Sequence, residues 1–123
     1  MKEKILVVDD EQAVCDVLKK FLTKEGYKVS TVLSGEEAIK KVKKEKPHIV
    51  LLDIRMPDMD GIEALKRIRK IDKKVGIIMI TAVKEDAVGR KCMELGAYGY
   101  ITKPFDFDYL EKVLTIKLLD FET

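Results

Sequence analysis

Ile49-Val50-Leu51-Leu52-Asp53 is the stretch that decides the fold. Four consecutive aliphatic residues leave no polar face, so a strand made of them must be covered on both sides. The run then stops abruptly at a carboxylate. Pro47 interrupts the helical pattern ahead of it, and a loop with Pro57 and Asp60-Gly61 follows.

Working outward, the same arrangement recurs along the chain. Ile5-Leu6-Val7-Val8 stops at Asp9-Asp10, Ile77-Ile78-Met79-Ile80 leads to Thr81, and residues 98–102 lead to Lys103-Pro104. Residues 29–32 form a second, weaker strand. Between these runs the apolar residues change to helical spacing. Val14, Val17, Leu18, Phe21 and Leu22 make one such stripe, and Gly26 is a natural stop. Ser34-Gly35-Glu36-Glu37 reads as a capping box opening a second helix. Asp60 can cap a third carrying Ile62, Leu65 and Ile68. A fourth ends at Leu95-Gly96, and a fifth carries Leu110, Val113, Leu114 and Leu118.

Strict βα alternation with right-handed crossovers gives an α/β, doubly wound (βα)5 three-layer sandwich around a parallel five-stranded sheet. The 123 residues suit a single domain spanning 1–123. Lys+Arg 24 against Asp+Glu 22 leaves a net charge of only +2, which argues against nucleic-acid binding through bulk charge. The basic run at residues 40–46 reads as the solvated face of the second helix. No apolar run approaches the ~20 residues of a membrane span. Met1-Lys2-Glu3-Lys4 does not lead into a signal peptide. The expected location is therefore cytoplasmic, where Cys15 and Cys92 would be reduced, part-buried thiols.

In such sheets, sites form beyond the carboxyl ends of the strands, where strand order reverses. Those ends carry Asp9 and Asp10, Asp53, Thr81 and Lys103. Three carboxylates meeting there repel one another unless a cation lies between them, and hard oxygen ligands of this kind suit Mg²⁺, with Mn²⁺ able to substitute. A carboxylate can attack phosphorus to give an acyl phosphate. Catalysis of that transfer is mainly positioning and charge stabilisation. The Lys103 ammonium and the Thr81 hydroxyl are suited to hold the transferred group.

Ile5-Leu6-Val7-Val8-Asp9-Asp10-Glu11, Leu52-Asp53-Ile54-Arg55-Met56-Pro57-Asp58-Met59-Asp60-Gly61, Ile80-Thr81-Ala82 and Tyr100-Ile101-Thr102-Lys103-Pro104-Phe105 together resemble the receiver domains of two-component response regulators, the CheY-like superfamily. The resemblance spans essentially the whole chain and implies the flavodoxin-like strand order 2-1-3-4-5. It implies Asp53 as phosphoacceptor. It also implies Asp10 as a direct Mg²⁺ ligand, Asp9 as a ligand through water, and Arg55 as a ligand through its backbone carbonyl. Thr81 and Lys103 would hold the phosphoryl group, with Thr81 and Tyr100 as the switch pair and a cis Lys103-Pro104 bond beside them. The implied donor is a sensor histidine kinase or a phosphotransfer protein. The output would be a phosphorylation-dependent dimer or an effector, engaged through the face built by the fourth helix, fifth strand and fifth helix.

Two features qualify the resemblance. Tyr98-Gly99 stands where many receivers of winged-helix transcription factors have an acidic pair, which leaves the output open. Arg55 and Val83, two positions beyond Asp53 and Thr81, are expected to flank the water's approach to the acyl phosphate. The alternative enzyme reading is a haloacid-dehalogenase-type Mg²⁺ phosphatase. Its nucleophile lies at the end of the first strand with a second Asp two positions on, but position 11 here is Glu. A flavin module would need a hydroxyl- and Gly-rich loop where this chain places acids.

Overall fold

The aliphatic runs become the strands β1 (Lys4–Val8), β2 (Lys28–Val32), β3 (Ile49–Leu52), β4 (Gly76–Thr81) and β5 (Gly99–Thr102). The helical stripes become α1 (Gln12–Lys24), α2 (Gly35–Glu45), α3 (Gly61–Ile71), α4 (Asp86–Glu94) and α5 (Phe107–Leu119). The computed structural model describes residues 3–120. The part of the signal-peptide reading that rests on Met1-Lys2, and residues 121–123, lie outside them.

All four strand pairings are parallel, and the order is β2-β1-β3-β4-β5. Every residue of β3 and β4 is buried, as is β1 after Lys4, because helices cover both faces. On one face Leu6, Val50, Leu52, Ile77 and Met79 pack with Val42 of α2, Ile68 of α3 and Cys92 of α4. On the other, Ile5, Leu51, Ile78 and Ile80 pack with Leu18 and Leu22 of α1 and Leu110 and Leu114 of α5. Cutting a wholly buried residue such as Leu51 to Ala would cost about 2–5 kcal/mol. Among the described residues no helix is long and apolar enough to cross a membrane.

Local signals set the element ends. The Ser34 Oγ accepts from the Glu37 N–H at 3.2 Å, and an Asp60 carboxylate oxygen accepts from the Glu63 N–H at 2.9 Å. Both caps were predicted from sequence. Helix α2 ends at Glu45, two residues before Pro47, and the intervening Lys46 has φ 49°, an unusual left-handed position for a residue other than glycine.

Candidate functional site

The order reverses between β1 and β3, and the ends of those strands bring the acidic residues together. One carboxylate oxygen from each of Asp9, Asp10 and Asp53 lies within 4.8 Å of the others. Asp9 and Asp53 are 3% and 6% exposed, whereas Asp10 is exposed. Lys103, from the loop after β5, reaches into this cluster. Its Nζ donates to Asp9 Oδ2 at 2.7 Å and to Asp53 Oδ2 at 3.2 Å. The second oxygens take backbone donors: Glu11 N–H to Asp9 Oδ1 at 2.9 Å, and Ile54 N–H to Asp53 Oδ1 at 2.7 Å. The carboxylates are thus held in fixed orientations, as a buried charge must be.

Burial raises the Asp9 pKa, and the Lys103 hydrogen bond only partly opposes it. For Lys103, burial works against the charge, yet its hydrogen bond to Asp9 and the nearby Asp53 carboxylate hold the pKa above the ordinary value. The two rise for different reasons: burial penalises the charge on Asp9, whereas Lys103 keeps its proton because two carboxylates surround its ammonium. Cys15, beneath the site, donates its thiol hydrogen to the Asp9 carbonyl at 3.3 Å, and burial pushes its pKa up to about 11. It is an inert core thiol.

Thr81 is fully buried at the end of β4, and its Oγ1 accepts the Val83 N–H at 3.3 Å. Tyr100 on β5 is part-buried and donates its hydroxyl to the Val83 carbonyl at 2.7 Å. The Lys103-Pro104 peptide bond is cis, as the resemblance implied. Arg55 is exposed. Val83 differs from expectation. It is 6% exposed and lies in the apolar cluster with Met56 and Met59, so its side chain does not stand beside an open approach. A small aliphatic residue near other apolar groups turns inward.

Sequence reasoning missed Gly61. A Cβ there would run into the backbone carbonyl of Asp53, and the Gly61 N–H donates to the Ile54 carbonyl at 2.7 Å. The glycine lets α3 begin against the end of β3. The Asp60-Gly61 signal was read only as a turn and a cap.

A doubly wound sheet with buried acids, a lysine and a hydroxyl at its switch point defines a receiver-type signalling domain. The sequence matches the family described as "Response regulator receiver domain" over residues 5–115, and the chain belongs to that family. It is 44% identical over 108 residues to sporulation initiation phosphotransferase F of Bacillus subtilis, covering 88% of this chain and 87% of that one. Among solved structures it is similar to a two-component response regulator from Clostridium difficile, with TM-score 0.95 and 28% identity over 99% of this chain and 100% of that one. A chain of the CheX–CheY–BeF3–Mg²⁺ complex from Borrelia burgdorferi is similar at 36% identity and TM-score 0.87, covering 91% of this chain and 86% of that one. The protein is a receiver domain, a signalling switch of two-component systems, and the phosphatase alternative is left without support.

Proposed function

We propose that this receiver, a domain spanning residues 1–123, accepts a phosphoryl group on Asp53 in a Mg²⁺-dependent reaction and transmits the change to the α4-β5-α5 face. The observation that carries the reading is the placement of Lys103 between Asp9 and Asp53 at the buried strand ends. Its cation leaves three carboxylates with one ammonium, a donor set that suits a hard divalent ion. Asp9, Asp10, Asp53 and the Arg55 carbonyl would hold Mg²⁺, or Mn²⁺ in its place, and the ion would neutralise charge on the phosphoryl oxygens.

The residues of the chain account for the rest of the transfer. The Asp53 Oδ attacks phosphorus as the P–N bond of the donor's phosphohistidine breaks; that ring is protonated on its other nitrogen, so the bond's electron pair returns to it and it leaves as neutral imidazole. Lys103 shifts its hydrogen bond from Asp53 to an oxygen of the transferred group. Thr81, already accepting from Val83, retains its own hydrogen to donate to another. The donor is a sensor histidine kinase or a phosphotransfer protein in the cytoplasm. The output is a phosphorylation-dependent dimer or an effector at the α4-β5-α5 face.

Incubation with acetyl phosphate and Mg²⁺ tests this directly. Intact mass is expected to rise by one phosphoryl group, and the gain should vanish with EDTA or in Asp53→Asn. Full phosphorylation of Asp53→Asn would overturn the assignment.

A further inference from the structure

We infer that α4 is hinged at its C-terminal end, with Arg69 of α3 as the positioning residue that fixes the pivot, so that rearrangement is confined to the helix's N-terminal half.

The two ends of α4 are built differently. At the N-terminal end, Glu85 offers no side-chain cap to the first N–H groups, and only its carbonyl, accepting from the Val88 N–H at 3.1 Å, closes the first turn. Asp86 and Ala87 are exposed, Val88 is only partly buried, and Gly89 occupies the helix interior. Glycine there is among the poorest helix formers. The one buried side chain of α4 is Cys92, in the C-terminal half.

The C-terminal end is tied down. The Leu95, Gly96 and Ala97 N–H groups donate to carbonyls of residues 91–93 at 3.0–3.1 Å, and Ala97 is buried. From α3, Arg69 Nη1 donates to the Val75 carbonyl at 2.7 Å and to that of Asp72 at 3.3 Å, while Nη2 donates to the Gly96 carbonyl at 2.7 Å. A planar guanidinium bonded to three carbonyls fixes their relative positions. One side chain therefore joins the end of α3, the start of β4 and the turn after α4. Gly96 is suited to this join twice over. Its φ of +105° favours glycine, and a Cβ there would come within 2.9 Å of Arg69 Nε.

A helix with a weak free end and a stapled end opens from the free end. The free end is also the one near the site: Tyr100 lies beside Gly89 and is hydrogen-bonded to Val83, whose N–H meets Thr81. Whatever Thr81 reports would reach α4 at the end able to move.

Amide hydrogen exchange on the full chain, followed residue by residue without any ligand, tests the hinge. In the parent, amides of residues 89–91 are expected to exchange at least about tenfold faster than those of Leu95 and Ala97. Gly89→Ala has room for its methyl group, 3.8 Å from the Tyr100 ring. It should slow exchange in the N-terminal half by about two- to fivefold and leave residues 95–97 unchanged. Arg69→Met should raise exchange at residues 95–97 beyond any change at the strand amides of Leu51 and Ile78. Uniform protection along α4 in the parent would overturn the proposal, as would an Arg69→Met effect no larger at residues 95–97 than in the strands.

A second arm rests on the proposed phosphate response and uses beryllofluoride with Mg²⁺. Shifts in amide resonances should fade from residue 84 towards residue 97 in the parent and extend to residue 97 in Arg69→Met. The Ile54 amide reports occupancy of Asp53 independently. Silence at Ile54 would sink the phosphate reading and leave the exchange result to decide the hinge. A bound Ile54 with the same shift pattern in both proteins would sink the pivot.

Discussion

Thr81 and Tyr100 meet through a single residue, Val83, whose N–H donates to the Thr81 hydroxyl oxygen and whose carbonyl accepts from the Tyr100 hydroxyl. The two side chains sit on adjacent strands, each hydrogen-bonded to Val83. A shift of Thr81 towards a phosphoryl group would pull on or release the Val83 N–H and so re-aim the residue whose carbonyl holds Tyr100. That is a physical route from the site to the α4-β5 surface, and it has two separable halves.

The route can be cut at either half. Tyr100→Phe removes a hydrogen bond worth about 0.5–1.5 kcal/mol, so the ring position held by the Val83 carbonyl should lose roughly two- to tenfold in population. Thr81→Ala should leave Tyr100 bonded to the Val83 carbonyl but uncouple it from the site. With beryllofluoride, the far-face amide shifts of residues 83–110 are expected in the parent and should be strongly reduced in Thr81→Ala. Equal shifts in both proteins would show that the hydroxyl does not carry the signal.

A divalent cation held by Asp9 and Asp53 would compete with Lys103 for their oxygens. The ammonium is closer to Asp9, at 2.7 Å, than to Asp53, at 3.2 Å. Lys103→Gln removes a positive charge from the cluster, so Mg²⁺ should bind severalfold more tightly. The metal-free variant should be less stable by up to about 3 kcal/mol, because two buried carboxylates lose the ammonium that lies between them. Asp10→Ala should do the opposite. Mg²⁺ binding should weaken at least about tenfold, while relief of carboxylate repulsion spares the stability of the metal-free protein. Calorimetric titration and urea unfolding of both variants check the pair of effects. Tighter Mg²⁺ binding in Asp10→Ala would refute the ligand role.

Away from the site, Glu111 on α5 predicts a pH dependence. One of its oxygens accepts from the Tyr27 hydroxyl at 3.4 Å, and the other is buried without a partner. Burial, then the nearby Glu25 charge, raises its pKa. The same burial, together with Glu111, pushes the Tyr27 pKa up to about 12. A carboxyl group whose folded-state pKa is raised favours folding in its protonated form. Its contribution is complete below the unfolded pKa of about 4.3 and is lost as pH rises through the folded value. Glu111→Gln should therefore be more stable than the parent at pH 7, and the difference should shrink towards about pH 4. Urea midpoints across that range measure it, and a gap that widens in acid would contradict this account.

The strands were legible because burial on both faces writes itself as unbroken aliphatic runs, and the site was legible because the polar group ending each run is the one the switch point collects. Asp9, Asp10, Asp53 and Lys103 converge as their strand positions implied. What could not be read were relations set by tertiary contact. Nothing in the spacing says that Gly61 abuts the Asp53 carbonyl, or that Arg69 reaches past its own helix to Gly96. The second strand begins at Lys28, one residue before the apolar signal, because an edge strand is paired by backbone and not by side-chain character. Val83 was misjudged for a related reason: position along a loop does not tell which way a side chain turns.

That inward turn changes what to expect of phosphoryl lifetime. Hydrolysis of an acyl phosphate on Asp53 requires water in line with phosphorus, opposite the carboxylate oxygen. Arg55 is exposed, two residues beyond Asp53, and has no hydrogen-bond or ion-pair partner among the described residues. Its long side chain is free to cover that approach and to bind phosphoryl oxygens. Val83 instead is buried in the apolar cluster that also holds Met56 and Met59. A glutamine there must either bury an amide, at about 1–3 kcal/mol, or turn outward and disturb the peptide that joins Thr81 to Tyr100. Arg55→Ala is therefore expected to shorten the phosphoryl lifetime with little effect on stability. Val83→Gln should lower the unfolding midpoint, whatever it does to hydrolysis. The measurements are the decay of phosphorylated protein after donor removal, at one temperature and Mg²⁺ concentration, beside urea unfolding of each variant. An unchanged lifetime in Arg55→Ala would mean that the guanidinium stays in solvent and the water's path is gated by other groups.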